Sequence, residues 1–302
     1  MATQTPAQAL TLQFDYRFDS ANFFADPSRQ SVLNAAGTYF SSLLTDSLTA
    51  ITSSGQNLFT AEFLAPSTLQ STLIPNFSVA ADTLVVFVGG NSTLGAGTLG
   101  QGGPGGYSAQ GSPAFLNTVA MRGQGAPTTG QSATEFAPWG GSVIFNSTAQ
   151  WYFDSDVTTT EAFAGSDFYS VALHELGHLL GLGTADSWFT LISNGVFTGA
   201  ATVAAKGASV PVTADRGHWA DGTQGVVNGQ PQETAMDPTF TVGSRKRFTN
   251  VDVAALDDIG WQIAPTVPPR QVPLLHPFLA LMLGALLSGV AHRRQTRSWP
   301  KR

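Results

Sequence analysis

The sequence predicts an α+β fold followed by one C-terminal transmembrane helix, and three observations predict it. Two short apolar runs bounded by glycine, Leu84 to Val88 and Ser142 to Phe145, read as buried strands. Three segments instead repeat apolar residues every three or four positions and read as helices. Near the end, Val272 to Ala291 is an apolar run without Asp, Glu, Lys or Arg, about 30 Å long as a helix.

In chain order, Ala7-Gln8-Ala9 has the small-x-small form of a signal-peptidase site, so residues 1–9 are expected to be the remnant of a signal peptide. The body runs from 10 to 263. Its first helix spans Asp26-Pro27 to Leu44, with Asp26 as N-cap, Pro27 at the first helical position and Val32, Leu33, Ala36, Phe40, Leu43 and Leu44 on one face. After the strand at 84–88, ten glycines fall between Gly89 and Gly111; they predict a long ordered loop, or a place where a ligand approaches the backbone. The strand at 142–145 follows a Gly140-Gly141 pair. A helix then runs from Asp167 to Gly181, and a last one from Asn250 to Asp258, capped by Thr249 and stopped by Gly260. A Pro-rich linker (264–271), the transmembrane segment (272–291) and a basic tail (292–302) close the chain. The basic residues beyond the apolar run place that end in the cytoplasm and the body outside, an exported or surface protein with a single-pass anchor unless it is processed.

Composition supports that location and narrows function. With 42% hydrophobic and 10% aromatic residues the chain can bury a core, which excludes disorder. Only 11% of residues are charged, well below an ordinary soluble domain. There is no cysteine, so neither disulfides nor thiolate metal sites are available. Residues 1–265 carry 8 basic and 20 acidic side chains. Such a body repels phosphate backbones, which excludes nucleic acid as a partner.

Chemistry concentrates in His174-Glu175-Leu176-Gly177-His178, inside the helix at 167–181. Histidines four apart project from one helix face, as two imidazole ligands of a tetrahedral Zn²⁺ must, and Glu175 stands beside them as a general base for hydrolysis. Of five histidines, His276 and His292 lie in or beside the apolar run, leaving His218 as one candidate third ligand; Glu233, in Glu233-Thr-Ala-Met-Asp237, and Asp186 are the others.

The run His174 to Gly181 resembles the extended motif of the metzincin zinc metallopeptidases, in which a glycine turns the chain toward a third ligand. The usual third position is Thr184, a departure. Gly217-His218-Trp219 resembles instead the leishmanolysin-like branch, where an inserted segment precedes the third histidine, and the resemblance implies His218. Thr234-Ala235-Met236-Asp237-Pro238 is similar to the methionine turn of that group, with Met236 beneath the metal. Gly140 to Gly183 resembles the matrixins, as does the closing helix ending in Gly260-Trp261. The resemblance implies a zincin-type domain with a twisted sheet, an active-site helix and a cleft. It implies a zinc-dependent endopeptidase acting on proteins or peptides, with metal ligands His174, His178 and His218 and general base Glu175. Matrixin relatives hold structural calcium, and Asp154-Ser-Asp156 with the Gly-rich stretch offers oxygen ligands for Ca²⁺. The carboxyl end resembles bacterial exosortase sorting signals, without their Pro-Glu-Pro element, and implies a sorting transpeptidase as partner. Two rival readings use the same residues: a non-catalytic zinc-stabilised surface or adhesion protein, and a gluzincin with Glu233 as third ligand.

Overall fold

In the computed structural model, residues 10–95, 97–122, 139–159 and 161–265 are described. The expected signal-peptide remnant, transmembrane segment and basic tail lie outside them. Among the described residues no helix is long and apolar enough to cross a membrane.

The described residues open with strand β1 (Thr11–Asp15), and helix α1 (Pro27–Leu43) follows. Asp26 caps α1, its side chain accepting the Ser28 N–H, and the helix buries Val32, Leu33, Ala36 and Phe40. Next come β2 (Leu58–Leu64), β3 (Ser71–Ile74), β4 (Thr83–Asn91), β5 (Gly100–Pro104), β6 (Gly106–Gln110), α2 (Pro113–Met121) and β7 (Gly140–Asn146). Strands β1, β4 and β7 are parallel neighbours, and β5 closes one edge of this sheet antiparallel to β7. A second sheet, in the order β3-β2-β6, lies on its other face.

Strand β4 shows why the central strand reads as an unbroken apolar run. All nine of its residues are buried, and alternate side chains enter different cores. Leu84, Val86 and Val88 pack with the helical layer, while Val85 and Phe87 join Phe59, Phe63 and Trp139 under the second sheet.

The Gly-rich stretch is not the long loop its composition predicts. β4 continues through Gly89 and Gly90, β5 is three-fifths glycine, and β6 begins at Gly106. The reason is close approach: a Cβ on Gly102 would lie 2.2 Å from the backbone oxygen of Glu175. Only a strand with glycine at its helix-facing positions, Gly100 and Gly102, can lie this close to the helix bearing the HExxH motif.

Two short strands, β8 (Trp151–Tyr152) and β9 (Ser166–Asp167), lead into α3 (Phe168–Leu179), whose twelve residues are all buried. Asp167 caps α3 by accepting the Ser170 N–H at 3.1 Å, and Arg245 grips the same carboxylate with two nitrogens at 2.9 and 2.8 Å. Beyond it, α4 (Asp186–Thr190), a small sheet of β10 (Ile192–Ser193), β11 (Val196–Phe197) and β12 (Val210–Pro211), and α5 (Ala200–Lys206) form the segment ahead of His218. Its Trp188, Phe197 and Val210 are buried in the same core as α1 and α3. The hairpin β13 (Gln224–Val227) and β14 (Gln230–Glu233) turns at Asn228-Gly229, both with positive φ, as a type I′ turn requires. Helix α6 (Asn250–Asp258) starts at a capping box between Thr249 and Asp252, and the Trp261 indole beyond it donates to Leu180 O at the end of α3.

Candidate metal centre

Helix α3 sets His174 and His178 one turn apart, their Nε2 atoms 3.0 Å from each other. The loop ahead of Trp219 brings in His218, whose Nε2 is 3.1 Å from that of His178. Among the described residues these three form the one group of side chains able to hold a metal together. Glu233 does not join them: its carboxylate pairs with Lys246 Nζ at 2.7 Å. Asp186 opens α4 and is exposed.

The hydrogen bonds on the far side of the rings fix the chemistry of the near side. His174 Nδ1 lies 2.7 Å from Ala235 O and His178 Nδ1 lies 2.8 Å from Leu182 O. A carbonyl only accepts, so each Nδ1 carries the proton and each Nε2 turns a lone pair into the cluster. Burial pushes His178 down to about 4 and lowers His174 and His218 as well, so the rings are uncharged at neutral pH. Two facing lone pairs at 3.0 Å repel each other unless a cation lies between them. Tetrahedral Zn²⁺ at about 2.0–2.1 Å from nitrogen spaces its ligands about 3.3 Å apart, and the observed separations fit that ion.

Glu175 lies at the floor of the cleft, 5% exposed. Burial pushes its carboxyl up to about 8, and the backbone N–H of Gly102 donates to it and opposes that rise. The cleft above is a cavity of about 660 Å³, walled by Gly100 to Gly102 of β5 on one side and by Gly217, His218 and Phe240 on the other. Strand β5 is a sheet edge. Asn146 N–H donates to Leu99 O and Gly105 N–H to Gly140 O, so in the antiparallel alternation residues 99, 101, 103 and 105 bond to β7. Gly100 and Gly102 therefore turn their backbone groups away from β7, along the cleft.

Met236 is fully buried beneath α3; a Cβ on Gly177, between the two histidines, would lie 2.6 Å from its sulfur. The turn carrying it is held by Asp252, which sequence reading passed over as part of the last helix. This buried carboxylate accepts the N–H groups of Ala235 (2.9 Å), Met236 (3.2 Å) and Thr249 (2.8 Å), the Thr249 hydroxyl (2.8 Å) and the Trp219 indole (2.9 Å). One residue so fixes both the carbonyl that holds His174 and the neighbour of His218. The Thr249-x-x-Asp252 pattern signals a helix cap, but nothing local shows that the same oxygens reach the turn. In the Asp154-Ser-Asp156 run, Asp154 pairs with Arg245 Nη1 at 2.7 Å and accepts the Asp156 N–H, and Asp156 accepts the Thr158 N–H.

Known proteins share part of this arrangement. The matrixin family model matches residues 123–193, which take in β7 and the whole of α3 and stop before His218. Metalloendoproteinase 1 of Glycine max is 46% identical over 48 residues, 16% of this chain and 16% of that protein, so the match spans about a sixth of its length. No solved structure matches the chain. The matched stretch and the three-histidine cluster make this chain similar to the matrixins and support a metzincin-like family of zinc-dependent endopeptidases.

Proposed function

We propose that the chain is a zinc-dependent endopeptidase whose metal ligands are His174, His178 and His218. The observation that carries this reading is the pair of imidazoles on one helix turn whose lone pairs face each other and His218, beside a buried carboxylate at the floor of an open cleft. Zn²⁺ held there supplies Lewis acidity, which polarises a peptide carbonyl and acidifies water. An extended substrate pairs with the outward backbone groups of Gly100 and with the carbonyl of Gly102, whose N–H is taken by Glu175, which brings its scissile carbonyl over the histidines. Glu175 takes a proton from the attacking water as the C–O bond forms, then gives it to the nitrogen as the C–N bond breaks. Met236 supports the histidines from below. We place the protein outside the cell, anchored through residues 272–291 and open to processing by a sorting transpeptidase; the apolar run and the basic tail in the sequence support this.

The test is cleavage of casein by the full chain in detergent, with and without a zinc chelator and beside Glu175→Ala. The variant is expected to keep its zinc and to lose about 100- to 10,000-fold in turnover. Equal turnover by wild type and variant, or insensitivity to the chelator, rejects the reading. A folded, zinc-loaded protein that cleaves neither casein nor a peptide library is the surface or adhesion protein instead.

A further inference from the structure

His218 differs from the other two histidines in what holds it. His174 and His178 are fixed by one buried helix and by a backbone carbonyl at each Nδ1. His218 arrives 40 positions later on a surface loop, so its place depends on how that loop closes. Thr213 closes it twice. Its N–H donates to His218 O at 3.0 Å, and its Oγ1 accepts the His218 N–H at 3.2 Å. The same hydroxyl donates to Asp215 Oδ1 at 2.6 Å, and Gly217 N–H donates to that oxygen at 3.0 Å. Between them, Arg216 takes a left-handed φ of 64° and its N–H returns to Thr213 O at 2.9 Å.

The loop is also docked from outside. The Trp188 indole donates to Arg216 O at 2.8 Å, and a Cβ on Gly183 would lie 1.9 Å from Gly217 O. Gly183 and Trp188 both belong to the segment that follows α3, so this segment carries the loop against the end of the metal helix.

We propose that Thr213 is the positioning residue for the third ligand: its hydroxyl, relayed to Asp215, holds the His218 backbone so that Nε2 meets the other two. This inference rests on the three-histidine reading and deepens it. It assigns the metal affinity of the site to a hydroxyl and a carboxylate that touch neither metal nor substrate. Thr213→Val keeps the shape of the side chain and removes the hydroxyl's bonds to Asp215 Oδ1 and to the His218 N–H and carbonyl, whereas Thr213→Ser keeps them.

The experiment measures zinc affinity of the full chain by competition with a chromophoric chelator, alongside the visible spectrum of the cobalt-substituted form and the melting temperature of the zinc-free form. Thr213→Val is expected to bind zinc about 10- to 100-fold more weakly and to change the cobalt spectrum. Its zinc-free melting temperature should stay close to wild type, and Thr213→Ser should recover most of the affinity. Wild-type affinity and spectrum in Thr213→Val, with a large loss in His218→Ala, overturn the role of Thr213 alone. Wild-type affinity in His218→Ala overturns the three-histidine reading itself. If Thr213→Val does not fold, Asp215→Ala, which removes the acceptor of the same hydroxyl, is judged by the same criteria.

Discussion

Single residues here are set by burial as much as by bonding partner. Asp46 is an instance away from the cleft. Only 1% exposed, it accepts the Gln262 N–H at 3.0 Å with Oδ2, while its Oδ1 has no partner among the described residues. Burial pushes this carboxyl up to about 6. A raised pKa means the folded state prefers the protonated form. Stability from that preference is full below the ordinary carboxylate value near 4 and is lost as pH rises through about 6. Asp46→Asn removes the loss. Its melting temperature should match wild type near pH 4 and exceed it by a few degrees at pH 8. That is on the order of 1 to 2 kcal/mol once residual hydration is allowed for. A constant difference across the range would show that the carboxyl does not titrate in this window.

At the scale of elements, the decisive contact is β5 on α3. The edge strand offers its backbone to the cleft and donates one N–H to Glu175, and both depend on how near it lies to the helix. Gly102→Ala puts a methyl group 2.2 Å from Glu175 O, so the strand must retreat. Zinc content should hold, since no ligand moves, while kcat/KM falls about 10- to 100-fold. A Cβ on Gly103 meets no atom within 4 Å, and Gly103→Ala should melt with wild type where Gly102→Ala melts lower. Equal melting of the two would refute the argument from close approach.

For the whole molecule, the candidate metal site gathers distant parts of the chain. His174 is held by the methionine turn, that turn by Asp252 of α6, and α6 is followed by Trp261, whose indole caps α3. The residues just after α1 meet those just after α6, because Leu44 and Ile263 form a bridge and Thr45 N–H donates to Gln262 O. Metal bound at such a junction stabilises the entire domain. Stripping zinc should lower the melting temperature by roughly 10 °C, as about 4 kcal/mol is lost when free metal stands a thousandfold above its Kd. A calorimetric scan with and without chelator decides it, and an unchanged transition would mean that no metal is bound.

What the sequence determined by itself was local: α1 with its Asp26-Pro27 start, α3 with its start at Asp167, α6 with its Thr249 cap, the buried runs of β4 and β7, and two histidines one turn apart. Each depends on residues a few positions away, where periodicity, capping and hydrophobic pattern act. The tertiary structure decided the rest. It made the glycine stretch a pair of strands, because the need for absent side chains comes from a helix some 70 residues later. It gave Glu233 to Lys246 and brought His218 to the other two histidines, a choice among acids and imidazoles that spacing left open. It made Asp252 a hub, since five donors from three parts of the chain converge only once the core has formed.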